Sequence, residues 1–92
     1  MNKSDLVHKI SKKLVDLKKN DIDEATNKLT DLISTTLIEK DRVEIRGFGS
    51  FSTRERKARL ARNPKTGSSI TVSSKFHPYF RASKSLRESL NN

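Results

Sequence analysis

The sequence predicts an α+β protein in a single domain over residues 1–92, and three observations carry that prediction. Apolar residues recur at helical spacing as far as Leu37, the period changes to two after Asp41, and a cationic stretch with little to bury separates two strand-like runs. Only 32% of the residues are hydrophobic, so a domain of this size has a thin core unless a second copy completes it. No Cys is present, which removes disulfides and thiolate metal sites as other means of stabilising it. Subunit association is therefore the first expectation.

Residues 1–41 read as a helical dimerisation part. Leu6, Val7, Ile10, Leu14 and Leu17 place an amphipathic helix over residues 3 to about 15, with Asn2 or Ser4 available as its N-cap. A break follows at Leu17-Lys18-Lys19-Asn20. Asp21 and Glu24 then form a capping box ahead of a longer helix, whose greasy face runs through Ile22, Ala25, Leu29, Leu32, Ile33 and Leu37. A link this short predicts antiparallel helices that bury one stripe against each other. The remaining apolar surface of the second helix is left for another subunit.

Residues 42–82 read as sheet and arm. Val43 and Ile45 alternate with Arg42, Glu44 and Arg46 in a strand, and Gly47-Phe48-Gly49 turns the chain, with Phe48 and Phe51 supplying core bulk. Arg54, Arg56, Lys57, Arg59 and Arg62 then crowd a segment that cannot bury itself. Asn63-Pro64-Lys65-Thr66-Gly67 is a reverse turn, and Ile70, Thr71 and Val72 mark the returning strand. The result is a long coreless hairpin, an arm over about residues 54–75. A two-stranded hairpin this charged is expected to be mobile over residues 59–69 until a polyanion neutralises it. Phe76, Tyr79 and Phe80 are expected to return to the core, with Pro78 confining their strand to an edge or a bulge. Residues 83–92 hold a short last helix with a capping box from Ser85 and Glu88.

Charge divides sharply along the chain. Residues 1–41 hold eight Lys and eight acidic residues, whereas residues 42–92 hold twelve Lys or Arg against Glu44, Glu55 and Glu88, so the whole net charge of +9 lies in the second half. That asymmetry points to a polyanionic partner. An enzyme is disfavoured. The chain has no Cys and only His8 and His77, and nothing in it resembles a two-metal carboxylate cluster, so no catalytic residue, metal or cofactor is expected and no small-molecule substrate is implied. No run approaches the roughly 20 apolar residues of a membrane span, so a soluble, cytoplasmic protein without membrane contact is expected.

Three blocks resemble the HU/IHF family of bacterial DNA-bending proteins: Gly47-Phe48-Gly49-Ser50-Phe51, Arg62-Asn63-Pro64-Lys65-Thr66-Gly67 and Phe80-Arg81-Ala82-Ser83-Lys84-Ser85-Leu86. The resemblance implies an intertwined dimer with a helical base, an antiparallel β-sheet saddle and two extended arms, bound to duplex DNA as a nucleoid-associated protein. It implies that Pro64 intercalates, a behaviour already established for the family's arm tips. The turn agrees with that role, because Pro64 is rigid, apolar and without an N–H, and Arg62, Asn63 and Lys65 flank it. By the same resemblance Arg54, Arg56, Arg59 and Arg62 line the arm against the minor groove, while Lys3, Arg81, Lys84 and Arg87 meet phosphates along the flanks of the body.

Glu44-Ile45-Arg46-Gly47 resembles the strand of beta-type chains in the IHF-like branch, where the Arg is associated with site preference. Two alternatives stand beside this reading. One is an HU-like homodimer with little sequence preference, where the IHF-like reading allows a heterodimer with a related subunit. The other is a double-stranded or structured RNA as partner, which the absence of any aromatic in the arm disfavours. Two departures from the family are Ala61 and Ser83, at positions where many relatives carry Gly.

Overall fold

The computed structural model describes residues 1–92 as three helices and five strands, in the order α1 (Lys3–Lys13), α2 (Lys19–Ile38), β1 (Val43–Ile45), β2 (Gly49–Arg56), β3 (Arg59–Arg62), β4 (Ser69–Val72), β5 (Lys75–Ala82) and α3 (Lys84–Leu90). The chain is α+β, as expected, and divides into two compact units, residues 1–35 and 36–92.

In the first unit Asn2 caps α1 in a full capping box: its side chain accepts from the Asp5 N–H, and the Asp5 carboxylate accepts from the Asn2 N–H. The expected capping box at Asp21 and Glu24 does not form. The second helix begins two residues earlier, at Lys19, and Asp21 sits inside its first turn, where a carboxylate still favours the positive end of the helix dipole. Val7 and Ile22 are the buried hydrophobic residues of the whole chain. A cavity of about 250 Å³ lies between the helices, walled by Ile10, Leu14, Leu17, Ile22, Ala25 and Leu29. Leu14, Leu17 and Leu29 remain roughly half exposed there, so the two helices bury one stripe and leave another open.

The second unit begins at the end of α2. Lys40 adopts a left-handed φ of 64°, and the N–H groups of Lys40 and Asp41 close back on the carbonyls of Leu37 and Thr36. This C-terminal closure usually employs Gly. The main sheet has the order β1-β2-β5, all antiparallel, with Val43 opposite Phe51, Glu44 opposite Ser50, Phe51 opposite Phe80 and Arg56 opposite Lys75. Pro78 lies in β5, an edge strand whose free side needs no donor, as the sequence required. Gly49 is obligatory in β2, because a Cβ there would stand 2.5 Å from the Arg81 carbonyl oxygen and 2.7 Å from the Phe80 ring.

Alternation along the strands separates two faces. One carries Val43, Ile45, Phe51, Phe76, Pro78 and Phe80. Phe48, Phe51 and Phe80 cluster with ring centroids 4.9–6.3 Å apart. Phe76 shares this face but stays 52% exposed, with the Lys40 ammonium 4.2 Å above its ring. The register places Tyr79 opposite Ser52, on the other face. The expectation that Tyr79 joins the core is therefore corrected: Phe76 and Phe80 are separated by an even number of residues, and Tyr79 by an odd number from both.

Ser83, not Ser85, caps α3, by accepting from the Leu86 N–H at 3.1 Å. The Ser85 hydroxyl instead donates to the Gly47 carbonyl across the turn, and Glu88 lies 3.9 Å from Lys84.

Candidate nucleic-acid interface

The face opposite the aromatic cluster carries Glu44, Ser50, Ser52, Arg54, Arg56, Lys75, His77, Tyr79 and Arg81, as the register dictates. Glu44 is the lone acid among them. It pairs with Arg42 at 3.8 Å, so Arg46 keeps no ion-pair partner. Glu55 points to the aromatic side and accepts from the Ser74 hydroxyl at 2.9 Å. Ten of the twelve cations beyond Asp41 consequently form no ion pair, and a duplex backbone can meet them without first displacing a protein carboxylate.

At the β1 end of this face the structure brings together Glu44, Arg46, Arg81, Lys84 and Arg87 around a cavity of about 340 Å³. These residues come from two strands, the turn after β1 and a helix, and the sequence separates them into two groups. Arg42 lines the same cavity and was missed, because nothing in the sequence shows that it faces α3. Lys3 stands in the first turn of α1, in the other unit.

Toward the arm, Arg54 lies over Tyr79, with its guanidinium carbon 3.6 Å from the ring centroid. The two are diagonal neighbours across β2 and β5, which is within reach of an aromatic and a long side chain. The stack holds a flexible cation in one place. Tyr79 is thus a second missed residue, and the parity of its position in β5 was the signal that could have found it.

The arm is a separate two-stranded sheet, with Arg59 opposite Val72 and Arg62 opposite Ser69. Arg59 and Arg62 fall on opposite faces of it, so the four arginines do not form one row along a single face. At the tip, the Asn63 N–H donates to the Ser68 carbonyl at 2.9 Å, and the Asn63 carbonyl accepts from the Gly67 N–H at 2.8 Å. Asn63 Oδ1 also accepts from the Lys65 N–H at 2.9 Å. Gly67 closes the loop at φ 72°, a conformation that disfavours a side chain. Pro64 is left at the exposed apex.

No group of three or more His, Cys, Asp or Glu comes together that could hold a metal ion, and no helix is long and apolar enough to cross a membrane.

A family model described as bacterial DNA-binding protein matches residues 1–91. The chain is 44% identical over 92 residues to integration host factor subunit beta of Halorhodospira halophila, covering 100% of this chain and 90% of that protein. It is 48% identical over 88 residues to the corresponding subunit of Dichelobacter nodosus, covering 96% and 92%. Among solved structures, Anabaena HU in a cocrystal with DNA superposes with a TM-score of 0.88 at 37% identity, covering 98% of this chain and 97% of that one. An HU mutant from Thermotoga maritima superposes with a TM-score of 0.71 at 26% identity, covering 98% and 99%. Matched along nearly its whole length in both sequence and fold, the chain belongs to the bacterial DNA-binding protein family of HU and the integration host factors.

Proposed function

We propose that the protein is an architectural, non-enzymatic partner of the bacterial chromosome in the cytoplasm, which dimerises and bends duplex DNA. The observation that carries this reading is the sorting of side chains across the main sheet. One face is aromatic, and the other presents cations without ion-pair partners and leads into an arm with Pro64 at its apex. Arg54, Arg56, Arg59 and Arg62 hold the groove and backbone. Asn63 and Lys65 set the tip, and Lys3, Arg81, Lys84 and Arg87 hold flanking phosphates. Both Pro64 tips open a base step, at a cost of a few kcal/mol that the contacts of a wrapped duplex offset.

Site preference of the integration host factor kind is favoured by the relatives of that name and by Glu44 with Arg46, the latter unpaired on the DNA side. The close superposition on Anabaena HU supports the second reading, a homodimer of low sequence preference.

Energy transfer between the ends of roughly 35-bp duplexes of unrelated sequence, at moderate salt, separates the two. Bending of only some sequences, or only after a related subunit is added, supports the first reading, and uniform bending by this chain alone supports the second. Absence of bending on every duplex overturns both. Pro64→Ala is expected to reduce bending more than affinity, and equal losses in both would remove the wedge.

A further inference from the structure

The arm leaves the main sheet through an interruption. One ladder ends with Arg56 opposite Lys75, and the next begins with Arg59 opposite Val72. Two residues on each strand, Lys57 with Ala58 and Ser73 with Ser74, lie between the ladders, and the register passes straight across them. In an unbroken ladder Lys57 and Arg59 would face away from Arg56 and Lys75. At this elbow all four line one cavity of about 160 Å³, with His77 also in its wall. None of the four takes part in an ion pair. Glu55, the nearest acid along the chain, faces the other side and is engaged by Ser74.

Four cations around one small cavity repel one another, and a bound anion converts that repulsion into attraction. The cavity sits on the route from saddle to arm, where a duplex backbone passes if the DNA-binding reading holds. We infer that each elbow is a seat for one phosphodiester group, gripped by Lys57 and Lys75 from the two strands and flanked by Arg56 and Arg59. This inference rests on the proposed function and deepens it. The seat anchors the root of the arm independently of the tip, and so sets the direction in which the arm follows the groove.

The test uses the full-length protein and a duplex in which two unpaired bases fix the bend position, since flexible steps are where bending costs least. A single uncharged methylphosphonate linkage is then moved along each strand, one position at a time. For the wild type, one linkage per arm is expected to reduce affinity about tenfold when neutralised, the worth of one hydrogen-bonded charge pair. The Lys57→Gln/Lys75→Gln variant, which loses the seat in both arms of the dimer, is expected to bind the unmodified duplex about a hundredfold more weakly and to lose nothing further at that linkage. The seat is overturned if every sensitive linkage weakens wild type and variant by the same factor. It is also overturned if Lys9→Gln/Lys12→Gln, on α1, weakens binding to the unmodified duplex as much as the elbow variant does. Failure of the wild type to bind the unmodified duplex would instead overturn the DNA reading itself.

Discussion

The helical stretch of residues 1–41 and the sheet, arm and last helix of residues 42–92 are both incomplete, in opposite ways. Residues 1–41 balance eight Lys with eight acids and leave an apolar cleft open between two helices. Residues 42–92 carry the whole net charge and leave ten cations without ion pairs. The first deficiency is met by apolar surface, whose burial is nearly indifferent to salt. The second is met by a polyanion, whose attraction salt screens. Self-association and DNA binding therefore respond to different variables, and DNA binding can be weakened without loss of the dimer.

The largest effect is expected from Leu29→Asp, which puts a carboxylate into the wall of the helical cleft. Burying that charge costs several kcal/mol, so sedimentation equilibrium should show loss of the dimer and the melting transition should collapse. A variant that remains dimeric and fully stable would place the interface elsewhere and break the comparison. Next is Arg59→Ala/Arg62→Ala in the arm. Loss of two charge-assisted contacts in each arm, four per dimer, is expected to weaken duplex binding by more than about a hundredfold while melting stays unchanged. If about eight phosphates are neutralised per dimer, the wild-type plot of log affinity against log salt has a slope near −7, and the arm variant a shallower one. A wild-type slope near zero would remove the electrostatic half of the contrast.

Gly49→Ala should act on stability within the cationic unit. Its Cβ would collide with the Arg81 carbonyl oxygen and the Phe80 ring, so calorimetry should show a loss of about 1–3 kcal/mol, as overpacking typically costs. The smallest effect belongs to Tyr79→Leu. Removing the stack under Arg54 is worth about 0.5–1 kcal/mol at an exposed site. Titration should show duplex affinity a few-fold weaker, with Tyr79→Phe close to wild type. Equal losses in both variants would assign the effect to the hydroxyl instead of the ring.

Much of this was legible from residue order alone. Helical period located α1 and α2, the aromatic bulk of Phe48, Phe51 and Phe80 marked the core side of the sheet, and Asn63-Pro64 with Gly67 marked the arm tip. Most of what failed to show depended on partners distant in sequence, the start of α2 being a local exception. Asp21 with Glu24 satisfies a capping pattern, yet the helix gains two more residues by starting at Lys19. Tyr79 resembles a core aromatic until its register opposite Ser52 is known. Arg42 and Lys84 become neighbours of one cavity only when β1 and α3 are placed. The elbow left no signal at all, because Lys57-Ala58 and Ser73-Ser74 contain neither Gly nor Pro and the register is unbroken across them.

The tip has a kinetic consequence. Its polar groups bond among themselves, through Asn63 to Ser68, Gly67 to Asn63 and Lys65 to Asn63, and Pro64 carries no donor of its own. Under the proposed insertion none of these bonds has to break as Pro64 enters or leaves a base step, and the protein side of insertion would require no rearrangement. The lifetime of the bound state is then governed by how fast returning counterions displace the arm and saddle cations. Salt-driven exchange can release the protein quickly from bent DNA, even though the wedge itself is rigid.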